Sequence, residues 1–360
     1  MALVLSILDQ STIASGRGAD AAIRETLAMA QHADALGYAR YWLAEHHNSR
    51  SHAGAAPEIL IAAIAATTRR IRVGSAGVML PHYSSLKVAE QFRVLEAIAP
   101  GRIDLGVGRA PGSDGRTAYA LNPAAAQGLL GQGDRFPAQV QELLGWLGEG
   151  LPVNHPFRDV HAQPEVPTRP ELWMLGSSDY GAQLAAYFGL PYCFAHFITD
   201  GAGAEQALSL YRQGFRAEAG RLPAPRAAIA VFALCAATEA EAARLFSSRA
   251  LWRLSRDRGI YPPLPTPEEA AAHPYTEAER EKLARMQARA IIGTPQQVKA
   301  RLEALAAELG AEEVAVLTPV HDPAARRESL SLLAGAFGLA AGAPGGAGAA
   351  GALRPTPALP

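Results

Sequence analysis

The chain has 360 residues, 49% of them hydrophobic and 19% charged, with a formal net charge of −1. That supports one large folded core and excludes a whole-molecule attraction to nucleic acid or to an anionic membrane. Cys193 and Cys235 both lie in apolar runs, which argues against a disulfide framework and for reduced thiols in a cytoplasmic protein. The first ten residues lack a signal-peptide pattern, and the longest apolar run, near residues 59–66, is too short for a membrane span.

Strand-like and helix-like runs alternate along the chain. Residues 3–8 read as a strand, and 19–36 as an amphipathic helix stopped by Gly37. Residues 41–44 are a second strand and 57–67 a second helix. Residues 71–80 read as one strand, 86–98 as a helix, and 102–107 as a fourth strand. A helix near 137–147 follows, then strands at 171–175, 190–196, 228–236 and 313–317, each with a helical segment after it. Thr294-Pro295-Gln296-Gln297, Thr266-Pro267-Glu268-Glu269 and Thr276-Glu277-Ala278-Glu279 are helix starts with Thr caps.

The total is roughly eight β–α units, the count of a closed (β/α)8 TIM barrel. Continuous apolar strands suit a parallel sheet covered on both faces. An open doubly wound sheet shows the same alternation and is the alternative. The expectation is a single α/β barrel domain over residues 1–338, with a long Pro-rich loop at 151–170. A polar insertion at about 253–290 is placed to act as a lid. Residues 340–360 are Ala, Gly and Pro and are expected to be disordered.

Polar residues follow the strand ends, where barrels of this kind build their sites. Glu45-His46-His47 follows the second strand, and alternation lets at most one of the two histidines face the mouth. They read as loop hydrogen bonders, as one histidine presented to the mouth, or, with His52 and Glu45, as metal ligands; no metal-ligand spacing favours the last. Gly106-Val107-Gly108-Arg109-Ala110-Pro111-Gly112 resembles a dinucleotide fingerprint only superficially, since Pro111 stands where the third glycine belongs. Its Arg109 is either a surface charge or an anion contact. Gly176-Ser177-Ser178-Asp179-Tyr180-Gly181 opens a helix and reads as a phosphate loop or as a plain N-cap. Ser75-Ala76-Gly77 reads as close packing, or as a floor for a flat aromatic ligand.

Taken in order, Tyr41-Trp42-Leu43-Ala44-Glu45-His46-His47, residues 73–81, residues 99–109, Gly176-Ser177-Ser178, Gly189-Leu190-Pro191 and Ile292-Gly293-Thr294-Pro295 resemble the bacterial luciferase-like family of flavin-dependent monooxygenases. The resemblance spans residues 4–333. It implies a (β/α)8 barrel and a set of roles. Ala76-Gly77 matches the position of a non-proline cis peptide beneath the flavin ring. Arg109 matches an arginine on the flavin phosphate, and Gly176, Ser177 and Ser178 match the phosphate loop. His46 matches a histidine near the reactive face, and His196 a position beside the flavin. Gly108 stands where luciferase itself has a cysteine, which counts against light emission.

The implied reaction is oxygenation of a small organic substrate by O2 and reduced FMN through a C4a-peroxyflavin, with the adduct kept dry by the protein. His46, titrating near neutrality, would bond the adduct or act as base. No nicotinamide site is recognisable, so a separate flavin reductase is expected to supply reduced FMN. A homodimer through barrel helices such as 57–67 is expected. The alternatives are an F420-dependent oxidoreductase of the same fold and a flavin-binding protein without turnover.

Overall fold

The computed structural model describes residues 2–109, 114–123, 135–217 and 221–339, and the expected tail at 340–360 lies outside them. The chain runs β1 (Val4–Asp9), α1 (Ala19–Leu36), β2 (Arg40–Leu43), α2 (Pro57–Thr67), β3 (Arg72–Ser75), β4 (Val78–Met79), α3 (Ser85–Ile98), β5 (Ile103–Gly108), α4 (Gly115–Leu121) and α5 (Phe136–Leu144). It continues as β6 (Glu171–Gly176), α6 (Asp179–Tyr187), β7 (Tyr192–Phe194), α7 (His196–Thr199), α8 (Ala204–Gly214), β8 (Ala227–Cys235), α9 (Glu239–Asp257), α10 (Pro267–Ala272), α11 (Glu277–Arg289), β9 (Ile291–Gly293), α12 (Pro295–Leu309), β10 (Glu313–Leu317) and α13 (Pro323–Phe337).

The strand order is β10-β1-β2-β3-β5-β6-β7-β8, and β8 pairs back to β10. All of these pairs are parallel. Eight strands therefore close into a barrel, and the open sheet is excluded. Every residue of β8 is buried, as expected for a strand covered on both faces. The helix boundaries follow local chemistry: Gly37 and Gly310 end their helices in the left-handed conformation, and Thr266, Thr276 and Thr294 each close a capping box.

Two elements depart from the pattern reading. The run at 71–80 is not one strand. It stops at Ser75, passes through a cis Ala76-Gly77 peptide, and resumes as β4 on β5. The cause is crowding against β5. A Cβ on Gly106 would lie 2.2 Å from the Ser75 carbonyl oxygen, and one on Gly77 2.7 Å from Leu175 Cδ1. The glycines are thus required for close packing, independently of any ligand. The insertion at 253–290 also starts later than its composition suggests, because α9 continues through Asp257. A short strand, β9, pairs with the end of β8.

The amino-terminal end of the barrel is closed by charge. Arg40 Nη1 lies 2.8 Å from Asp104 and 3.0 Å from Glu171, and its Nε is 3.0 Å from Glu313. Trp42 Nε1 also donates to Asp104, at 2.9 Å. Burial acts to raise the Glu171 carboxyl, but the guanidinium groups of Arg40, Arg226 and Arg72 hold it down at about 2. Above this layer, Trp42 and Trp173 meet edge to face at 5.0 Å inside the barrel. Small residues, Ala228, Ala230 and Ala315, complete that interior cluster and leave space toward the carboxyl-terminal mouth.

Candidate active site

A cavity of about 1400 Å3 opens at that mouth. It exceeds the roughly 300–1,000 Å3 usual for a single small-ligand site. Strand ends supply its floor: Leu8 from β1, Trp42 and Ala44 from β2, Ala76-Gly77 after β3, Gly108 from β5, Met174 and Gly176 from β6, and Cys193 from β7. Of the expected site residues, His46, Ala76, Gly77, Arg109, Gly176, Ser177 and Ser178 all line this one space.

His196 is not among the described residues that line it. It begins α7, and its ring lies over Gly201, where a Cβ would come within 2.5 Å of its Nε2. Phe197 and Ile198, the next two residues, line the cavity instead.

Arg109 and the serine loop meet at one side. The Arg109 guanidinium lies over the Tyr180 ring, 4.1 Å from its centroid. Tyr180 is in the first turn of α6, so the stacking brings the cation to that helix's amino end. Ser178 is the N-cap in an extended conformation, yet its side chain makes no capping hydrogen bond. The plain N-cap reading therefore accounts for its position and not for its hydroxyl.

The histidine loop forms another part of the wall. Both His46 and His47 line the cavity, because alternation stops where the strand ends at Leu43. His47 Nε2 lies 2.7 Å from Glu45 Oε1. The same oxygen accepts from the Tyr83 hydroxyl at 2.6 Å, and Glu45 Oε2 accepts from the Met79 backbone at 3.1 Å. Glu45, buried at 2% exposure, thus ties this loop to β4. The His46 backbone donates to the Gly54 carbonyl at 2.9 Å. Its ring stacks on His52 with centroids 4.3 Å apart, and Trp252 meets His52 edge-on.

Burial, then the charge of Arg256, then His47, push the His46 imidazole down to about 4. Burial and the same neighbourhood push His52 well below its ordinary value. His46 is therefore neutral across the neutral range, which corrects the expectation that it titrates near pH 7. Its Nδ1 is buried without a hydrogen-bond partner, and so is His52 Nε2. No group of three or more His, Cys, Asp or Glu suited to a metal occurs among the described residues.

The part of the insertion that covers the mouth is its first third: Arg253, Arg256, and residues 259–263 line the cavity. This segment is tied to the β1–α1 loop by mutual backbone bonds between Ile13, Leu264 and Ser15, each 2.8 Å long. The capped helices α10 and α11 lie outside it. His52 entered the sequence reading only as a possible metal ligand, and Arg253 and Arg256 were not singled out as site residues. The one signal available was the spacing of Arg249, Arg253 and Arg256, which puts three cations on one face of a helix.

A closed parallel barrel with a cavity at its carboxyl-terminal mouth has the architecture of TIM-barrel enzymes. The chain belongs to the luciferase-like monooxygenase family, whose model matches residues 3–313. It is 37% identical over 335 residues to the N-acetyl-S-alkylcysteine monooxygenase of Bacillus subtilis (strain 168), covering 92% of this chain and 97% of the relative. The fold matches that of apo-MsnO8 with a TM-score of 0.84, at 37% identity, covering 94% of this chain and 98% of the other. It also matches the oxygenating constituent of 3,6-diketocamphane monooxygenase from Pseudomonas putida, solved with FMN, with a TM-score of 0.67. At 21% identity, over 93% of this chain and 97% of that one, this last likeness speaks for the fold alone. The protein is thus an oxidoreductase of the monooxygenase kind. No helix among the described residues is long and apolar enough to cross a membrane.

Proposed function

We propose that the protein is a flavin-dependent monooxygenase that takes reduced FMN from a separate flavin reductase and oxygenates a small organic substrate with O2. The observation that carries this reading is the gathering of His46, Ala76-Gly77, Arg109 and Ser177-Ser178 around one cavity. The residues fit the cofactor. A guanidinium beside the uncapped Ser178 hydroxyl at a helix amino end suits a phosphate. An unpartnered buried nitrogen on His46 suits a polar heteroaromatic ring.

Reduced FMN, when bound, supplies the electrons that activate O2. The chain's own groups do the rest. Arg109, Ser177 and Ser178 hold the phosphate and so set the register of the ring. Ala76 and Gly77 offer a flat surface without protruding side chains. His46, neutral at its depressed value, holds or accepts a proton at Nδ1. Glu45, through His47 and Met79, keeps the histidine loop in place. The segment at 253–263 excludes water.

The absence of a third glycine at Pro111 supports delivery of reduced flavin in trans. The paired exposure of Ile59 on α2 and Val94 and Ile98 on α3 supports a homodimer through these helices. The unpaired, buried Cys193 and Cys235 support a reducing, cytoplasmic setting.

The test is anaerobic titration with reduced FMN and with reduced F420, followed by admission of O2. Tight binding of reduced FMN, weakened about tenfold or more by Arg109→Met, and slow NADH oxidation by the protein alone with FMN are expected. Preference for reduced F420 without O2 consumption would move the assignment to hydride transfer. Failure of FMN to bind in either redox state would refute both.

A further inference from the structure

We propose that Arg253 and Arg256, at the end of α9, form an anion subsite that holds a carboxylate on the organic substrate, distinct from the Arg109–Ser178 pair that lines the same cavity. The word substrate here rests on the oxygenase reading above; the anion subsite itself rests on geometry.

Four arginines line the cavity, Arg50, Arg109, Arg253 and Arg256, against two carboxylates, Glu45 and Asp114. Both carboxylates are engaged elsewhere, Glu45 by Tyr83 and His47 and Asp114 by Asn48 and Thr117. Among the described residues the lining therefore carries a formal excess of two positive charges, and neither lining carboxylate is paired with Arg253 or Arg256.

Arg256 is the sharper case. It is half-buried, and among the described residues its guanidinium contacts two rings and no carboxylate. Its Cζ lies 4.9 Å from the Trp252 centroid and 5.7 Å from that of Tyr261. A cation in a helix's last turn is ordinarily explained by the helix dipole, but this one lies near the buried Trp252 ring and the Tyr261 ring and itself lines the cavity. The adjacent acid, Asp257, is turned to Lys282 at 2.6 Å. Its other neighbours are positive or neutral: Arg253 one turn back, and the His46–His52 stack. Arg253 has a single carboxylate contact, the half-exposed Asp200, at 3.3 Å. Two forked donors with so little opposing charge suit a planar carboxylate. Around them, Phe197, Ile260, Tyr261 and Pro262 line the same space, which suits an apolar body attached to that carboxylate. His46, whose Nδ1 is buried without a partner, lines the same space.

Octanoate and octanamide are matched probes that differ in one charge. Calorimetry on the protein with FMN present is expected to show octanoate binding about tenfold more tightly. Arg256→Met should remove the preference, and Arg256→Lys should keep part of it. Arg253→Gln should reduce it several-fold, and in all three variants FMN affinity and melting temperature should stay unchanged. Equal binding of acid and amide by the wild type would overturn the proposal. So would displacement of FMN by octanoate, which would show the pair holding the cofactor phosphate. An octanoate preference in a protein that binds no FMN would uphold the anion subsite and refute the oxygenase reading.

Discussion

Replacing His46 tests the electrostatics of the site directly. The imidazole has a value of about 4 in the fold, against 6.5 in its ordinary state. Between those values the unfolded chain binds a proton that the folded protein does not, so stability rises with pH across the window. The contribution is fully present above about pH 6.5, is lost as pH falls toward 4, and is constant below. A gap of about 2.5 pH units at about 1.4 kcal/mol each amounts to about 3.5 kcal/mol in full, of which about 3 kcal/mol is reached by pH 4. Depressed carboxylates such as Asp9 and Glu171 lose stability at still lower pH, so the comparison must be differential. Urea denaturation of wild type and His46→Asn is measured at about pH 7.5, 6, 5 and 4. The stability difference should move in the variant's favour by about 3 kcal/mol from the first condition to the last. His52 is stacked on His46 and shares the direction, so the variant should also relieve part of its partner's penalty. A difference that stays flat within about 0.5 kcal/mol, or an NMR titration of His46 with its midpoint near 6.5, would refute a buried neutral imidazole. It would also remove the basis for treating His46 as a neutral hydrogen-bonding group during turnover.

Gly106→Ala and Gly77→Ala should each lower stability by about 1–3 kcal/mol through overpacking. Gly108→Ala should be tolerated because its nearest neighbour is the Leu175 carbonyl oxygen at 3.9 Å; thermal melting distinguishes them. Arg40→Met leaves Asp104 and Glu313 buried without this cation and should cost about 3–5 kcal/mol in denaturant titrations. FMN affinity should hardly change, since Arg40 lies at the far end of the barrel. Glu45→Gln keeps an acceptor for Tyr83 or His47 but sets an amide N–H2 against the Met79 N–H. It should cost about 1–3 kcal/mol, with Glu45→Ala costing more, and both should weaken FMN binding by loosening the histidine loop.

The barrel was legible because its strands are buried on both faces. Runs such as residues 227–235 carry no polar position to blur them, and the Thr and Gly helix boundaries are local chemistry that needs no tertiary information. The break inside residues 71–80 was not legible. Apolar pattern cannot separate a continuous strand from two short pieces when the residues between them are Ser, Ala and Gly. What divides this one is contact with β5, 30 residues on. Likewise α9 reads as polar after Arg253, and only its packing shows that the helix continues to Asp257.

At the site, legibility followed distance along the chain. His46, Arg109 and Ser177-Ser178 each follow a strand end closely, and the barrel's closure alone brings such positions together. His196 also follows a strand end, yet the chain turns at once into α7 and carries the ring onto Gly201. A strand end therefore supplies an address at the mouth but not a direction. His52, Trp252 and Arg256 follow no strand end. They arrive through a loop and a long helix, and the burial they impose, together with the charge of Arg256, makes His46 neutral. The family's motif places the imidazole at the mouth; its protonation state depends on residues more than 200 positions away in the chain. This is why His46 could be located from the sequence while its titration was read in the wrong range.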